Sequence, residues 1–260
     1  MSDAHIRLEP VDADGIATLR LSNPGKMNAL SLAMWRELRA VFDGLRDNAA
    51  APRVVVVRGA GGEFVAGADI EEFPQFRFDP ASLAAYHEGV VAPALHAMLD
   101  CDLPLIAHIE GACIGGGLEI AACCDLRLCE PASRFGVPIA RLGFPMAPAE
   151  VEIVAHVTGP TLLREMLIES RLLGAAEAHQ RGLVTRVVAA DELDAEVRRV
   201  ARHVAQLSPQ ALQLNKQVLR RFARPAFSEA GAREPHFGYA DSAEHREGLQ
   251  AFLEKRPAKF

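Results

Sequence analysis

The stretch Ile109–Asp125, Ile-Glu-Gly-Ala-Cys-Ile-Gly-Gly-Gly-Leu-Glu-Ile-Ala-Ala-Cys-Cys-Asp, constrains this chain more than any other. An apolar run enters three consecutive glycines, and a helix-forming segment, Leu118–Cys124, leaves them. Residues without Cβ let another molecule come close to the backbone and give the turn conformations that other residues resist. At the helix start the amide of Gly116 or Gly117 points outward, with the positive end of the helix dipole behind it. Glu119 falls in the first turn, beside that amide. A preorganised N–H next to a carboxylate suits the stabilisation of a developing oxyanion while the carboxylate moves a proton. The same residues also fit a plain strand-to-helix connection with an acid favoured by the dipole. Taken alone, the motif leaves both readings open.

Composition narrows the class. The chain has 260 residues, half of them hydrophobic, enough for one large domain or one domain with an appended subdomain. A net charge of −6 and the lack of a basic run argue against a nucleic-acid partner. Met1–Pro10 is polar and no stretch is long enough to span a bilayer, so the expectation is a cytoplasmic protein with no membrane partner. The cysteines, Cys101, Cys113, Cys123, Cys124 and Cys129, form no C-x-x-C pair and read as buried thiols. His87 and His96 are not three or four apart on their helix, so no metal site is expected.

In chain order, Arg7–Glu9 and Ile16–Leu21 alternate around Asp12–Gly15 and predict a hairpin. Ser31 caps a predicted helix whose apolar stripe is Leu32, Trp35, Leu38, Phe42 and Leu45, which makes Trp35 a core residue. Val54–Val57 is a β-branched run of the kind buried on both faces of a sheet. Phe64–Ile70 brings a second station of small residues, Ala66-Gly67-Ala68, to the end of a strand pattern. Phe73, Phe76 and Phe78 follow in a loop and either pack into the core or line an apolar pocket. Ser82–Leu99 reads as a helix, Leu103–Ile109 and Asp125–Cys129 as strands, and Ala149–Val157, Thr161–Glu169 and Ala175–Arg181 as short helices. Leu183–Val188 is a further strand, and the chain is helical from Asp191 almost to its end.

Four stations together, Asn23-Pro24-Gly25-Lys26-Met27-Asn28-Ala29-Leu30, Phe64–Ile70, Gly111–Asp125 and Glu247–Phe260, resemble the crotonase family of enoyl-CoA hydratases and isomerases. The resemblance implies an α/β fold, a spiral of ββα units over residues 1–190, followed over 191–260 by helices that build a homotrimer or a hexamer. It implies an acyl-CoA thioester as substrate, with no cofactor beyond the coenzyme A that the substrate carries. The oxyanion hole of the family falls on the amides of Ala68 and Gly116, and its first acid/base on Glu119. The resemblance further implies coenzyme A contacts around Lys26, Met27, Ala66, Asp69 and Ile70, with Lys26 near the phosphates. Phe252 and Lys255 match positions that reach the nucleotide end of coenzyme A bound by a neighbouring subunit.

One position departs from the pattern. A hydratase of the family places a second glutamate after the proline of the phrase that here reads Arg134-Phe135-Gly136-Val137-Pro138-Ile139, and Ile139 cannot transfer a proton. Losing one general acid–base group costs about 10² to 10⁴ in rate. Enoyl-CoA hydration is the family's default, isomerisation and decarboxylation stay open, and so does non-catalytic acyl-CoA binding. Glu150 or Glu152 is placed to bring an acid into the site, although two exposed acids at a helix start is the simpler expectation.

Overall fold

The computed structural model describes residues 4–46, 51–75 and 79–222, together with 243, 247, 251 and 254–259. β1 (His5–Leu8) and β2 (Ile16–Ser22) form the predicted antiparallel hairpin, closed by Asp12, whose Oδ1 accepts the amides of Asp14 and Ile16. β2 then pairs in parallel with β3 (Val54–Gly59), and β4 (Leu105–Ile109), β6 (Leu126–Cys129) and β9 (Arg186–Val187) extend a six-stranded sheet in the order β1-β2-β3-β4-β6-β9. A second sheet joins β5 (Ala112–Ile114), β7 (Arg134–Gly136) and β8 (Leu172–Gly174).

The valine run is buried on both faces because each face has its own cover. Val55 and Val57 join the main core with Trp35, Leu38 and Phe42 of α1 (Leu32–Arg46), whereas Val54 and Val56 meet Leu193, Val197 and Val200 of α7 (Leu193–Ala205). Ser31 caps α1 as expected, its Oγ accepting the amide of Met34 at 3.2 Å. α8 (Pro209–Phe222) is tied to the same body through Lys216, whose Nζ donates to Leu103 O at 2.7 Å and Asp125 Oδ2 at 2.8 Å.

Between these layers the chain repeats one path: a strand of the first sheet, a segment of the second, then a helix. It runs through β3, Val65 and α2 (Pro80–Tyr86), through β4, β5 and α4 (Gly116–Ala122), and through β6, β7 and α5 (Pro148–Ile168). This is the expected ββα spiral. α5 joins the two short helices predicted there, and its one non-helical residue, Gly159 (φ 69), falls in the gap left between them. α6 (Ala175–Gln180) follows β8 directly.

The helix predicted from Ser82 begins at Pro80, because Asp79 accepts the amide of Ser82 at 2.7 Å and proline at the first position needs no donor. It is not one regular helix. α2 passes through a single π turn, His87–Val91, before α3 (Ala92–Leu99). Among the described residues no helix is long and apolar enough to cross a membrane. All five cysteines are buried, and burial pushes the Cys124 thiol up to about 12.

His108 of β4 is 2% exposed, and burial, aided by the positive charge of Arg58, pushes its imidazole from 6.5 down to about 4. The unfolded chain therefore binds this proton first as pH falls. The neutral-histidine contribution is complete above pH 6.5 and is lost as pH falls through about 4. It amounts to about 3 kcal/mol, at about 1.4 kcal/mol per pH unit of displacement. Urea unfolding followed from pH 7.5 to 4 is expected to lose this stability in wild type and to show a flatter pH dependence in His108→Gln.

Candidate active site

The first station is a loop held in an unusual backbone conformation. Met27 (φ 47) and Asn28 (φ 58) are both left-handed, and Asn28 secures the loop by donating from Nδ2 to Ala60 O and Glu63 O, each at 2.8 Å. Leu30 then lies beside the second station: its N–H donates to Gly67 O and its carbonyl accepts the amide of Asp69, both at 2.8 Å. Because successive amides of an extended segment point to opposite sides, Ala68 is left with its own N–H directed away from Leu30.

The second and third stations touch at their glycines. A Cβ on Gly115 (φ 52) would sit 3.6 Å from the Cα of Gly67 (φ 114), so both positions use the left-handed conformation to let two backbones meet. Gly115 N–H donates to Gly136 O at 2.9 Å, and Gly116 follows as the first residue of α4. Among the described residues neither Ala68 nor Gly116 has an acceptor for its amide. Gly117 is spoken for sterically, since a Cβ there would lie 2.5 Å from Val65 O. The sequence left Gly116 and Gly117 as alternatives; packing gives Gly117 a close-approach role against the strand.

Ala68 and Gly116 both line one pocket, and so does Glu119, only 6% exposed in the first turn of α4. Arg127 anchors the far end of that helix, its Nη1 donating to Ala121 O at 3.3 Å and Cys124 O at 2.5 Å. Part of the lining is apolar: Phe73 meets Phe144 edge to face with centroids 5.7 Å apart, and Pro138, Ile139 and Leu142 belong to it too. Phe73 thus lines the pocket, whereas Phe76 and Phe78 lie outside the described residues. Trp35 is a core residue at 1% exposure and also backs the pocket behind Gly116.

The remaining sequence-derived positions divide. Ala66 and Ile70 line the pocket, and Ala66 donates its amide to Met27 O at 3.0 Å. Met27 is 56% exposed. Lys26 places Nζ 2.7 Å from both Asp69 Oδ2 and Glu71 Oε2, and these partners hold its ammonium above its ordinary range. Lys255 is exposed, and Phe252 lies outside the described residues.

The expectation of two exposed acids at the start of α5 is half wrong. Glu152 is exposed, but Glu150 is 4% exposed and lines the pocket. Its Oε1 lies 2.5 Å from Nδ1 of His87, at the start of the π turn. Burial is sustained here by that partner, since an isolated carboxylate would not tolerate it. Pocket position for His87 was not legible from helical periodicity. The Asp79-Pro80 start is a readable signal, but nothing in the sequence marks the π turn that follows.

A profile of the enoyl-CoA hydratase/isomerase family matches residues 12–260. A crotonyl-CoA hydratase from Syntrophomonas wolfei is 29% identical over 248 residues, covering 94% of each chain. Among solved structures, an enoyl-CoA hydratase/carnithine racemase from Magnetospirillum magneticum aligns with a TM-score of 0.92 at 38% identity, over 98% of this chain and 94% of that one. An enoyl-CoA hydratase from Bacillus anthracis aligns at 0.87 and 25% identity over 98% of both. A class defined by a ββα spiral with a glycine-lined pocket thus narrows to one family: this chain belongs to the enoyl-CoA hydratase/isomerase family.

Proposed function

We propose that the protein is an acyl-CoA enzyme of the enoyl-CoA hydratase type, a lyase that polarises a thioester carbonyl between the amides of Ala68 and Gly116 and moves a proton with Glu119. The observation that carries this reading is the pair of amides without acceptors, brought together by the Gly67/Gly115 contact beside a buried carboxylate. Donors fixed in advance where charge develops act without reorganisation, and a dry wall strengthens them. The acyl group lies against Phe73, Ile139 and Phe144. The nucleotide extends past Ala66, Met27 and Ile70, with Lys26 shared between the phosphates and its partners Asp69 and Glu71. Lys255 and Phe252 serve the site of a neighbouring subunit.

Isomerisation or decarboxylation of an acyl-CoA is the alternative that Ile139 keeps open, because that position supplies no acid. A mass-spectrometric screen with crotonyl-CoA, 3-enoyl-CoAs and malonyl-type thioesters separates these, and the hydrated product is the expected result. Binding of all with conversion of none would instead favour a non-catalytic acyl-CoA-binding protein.

The assembly proposed is a homotrimer or a pair of trimers, built with the segment 191–260. Exposed apolar side chains such as Leu219 (65%) and Ile168 (82%) are surface that association would cover. Light scattering at micromolar concentration is expected to give a multiple of three chains, and a strictly monomeric mass would contradict it.

A further inference from the structure

Besides Glu119, the pocket is lined by two more ionisable side chains, His87 and Glu150. Glu150 is 4% exposed on α5, and His87 meets it from the π turn 63 residues earlier, at 2.5 Å. Both line the pocket that Glu119 lines. A π turn inserts one residue into a helix at a cost in regularity, and such turns collect at functional sites. Here it begins at the histidine that enters the pocket. With Nδ1 occupied by Glu150, Nε2 is the nitrogen left to work, and it has no partner among the described residues. A carboxylate on one ring nitrogen fixes the tautomer and leaves the other nitrogen to exchange a proton.

From this geometry, and resting on the acyl-CoA reading above, we infer that His87, positioned by Glu150, is the acid that serves C2 of the thioester in place of the carboxylate absent at Ile139. As water adds to an enoyl thioester, Glu119 takes one water proton while the oxygen bonds to C3. The C2=C3 π pair becomes the C1=C2 bond of an enolate, and the carbonyl π pair moves onto the thioester oxygen between Ala68 and Gly116. When the carbonyl re-forms, C2 bonds the proton from Nε2 of the His87 imidazolium, and the N–H pair stays on nitrogen. One proton passing from Glu119 through solvent to His87 restores both groups. His87 is then the catalytic residue and Glu150 a positioning residue. In reverse, the same imidazole withdraws a C2 proton, so the site exchanges the C2 hydrogens of a saturated thioester without any chemistry at C3.

The test is deuterium exchange at C2 of butanoyl-CoA in heavy water, read by mass spectrometry, beside crotonyl-CoA hydration and calorimetric binding of butanoyl-CoA. Wild type is expected to exchange and to hydrate. His87→Gln and Glu150→Gln should lower both rates by about 10² or more with the dissociation constant of butanoyl-CoA held within about threefold, a split that a merely structural clamp would not give. Glu152→Gln should match wild type, and imidazole added to His87→Ala should restore part of the exchange. Exchange by His87→Gln at the wild-type rate, or a wild type that binds butanoyl-CoA without exchanging it, overturns the inference while leaving the acyl-CoA reading standing. A wild type that binds no CoA thioester overturns that reading, and this inference with it. Should His87→Gln fold poorly, Glu150→Gln carries the same comparison.

Discussion

Glu119→Gln is expected to fold like the wild type and to lose about 10² to 10⁴ of its turnover of a CoA thioester, the usual worth of a general acid–base group. The amide is nearly isosteric with the carboxylate, so the packing of the first turn of α4 is kept, and Glu119 is only 6% exposed in that packing. Only the capacity to accept and return a proton is removed. Thermal unfolding and steady-state kinetics on one preparation check both halves. A thermal midpoint close to wild type with turnover intact would take Glu119 out of the chemistry.

The glycine turn yields the second large effect, and it differs between adjacent residues. Gly116→Pro deletes the amide assigned to the oxyanion, and removing one such donor costs about 3 kcal/mol in transition-state stabilisation, on the order of 10² in kcat. Gly116→Ala retains the amide, but its Cβ would come within 2.9 Å of Leu30 Cδ1 and 3.0 Å of Trp35 Cζ2, so a smaller loss from side-chain adjustment is expected. Gly117→Ala has no such escape. Its Cβ would lie 2.5 Å from the carbonyl oxygen of Val65, which itself accepts Ile114 N–H at 3.0 Å and so cannot withdraw without breaking its bridge to β5. That variant should lose stability as well as activity. Melting curves and rates for the three variants order them, and a Gly116→Pro enzyme as active as wild type would remove Gly116 from the site.

How much of this was legible follows from where the information lies along the chain. The valine run announced a strand covered on both faces, and the α1 stripe announced its own buried side, because these patterns are local and repeat at the period of their element. The stations were legible for a related reason: backbone chemistry leaves its mark as glycine and alanine, and Gly67, Gly115 and Gly117 are where the backbones meet. β5, β7 and β8 were missed, being three residues each and too short for alternation to register. Leu183–Val188 was overread, since only Arg186–Val187 pairs with β6. Glu150 was misjudged because the residue that allows its burial lies 63 positions away, on a π turn that no periodicity reveals. Ile139 lines the pocket, and what its apolar side chain stands beside could be judged only once the rest of the lining was in place.

The most direct measurement is a crystal structure with butanoyl-CoA, whose saturated chain cannot take up water. Its thioester oxygen is expected at about 2.7–3.1 Å from the amide nitrogens of both Ala68 and Gly116, the distance at which an oxyanion hole operates, with C2 and C3 between Glu119 and His87. A thioester oxygen bound away from either amide, or an acyl chain outside the pocket lined by Phe73, Ile139 and Glu119, would contradict it.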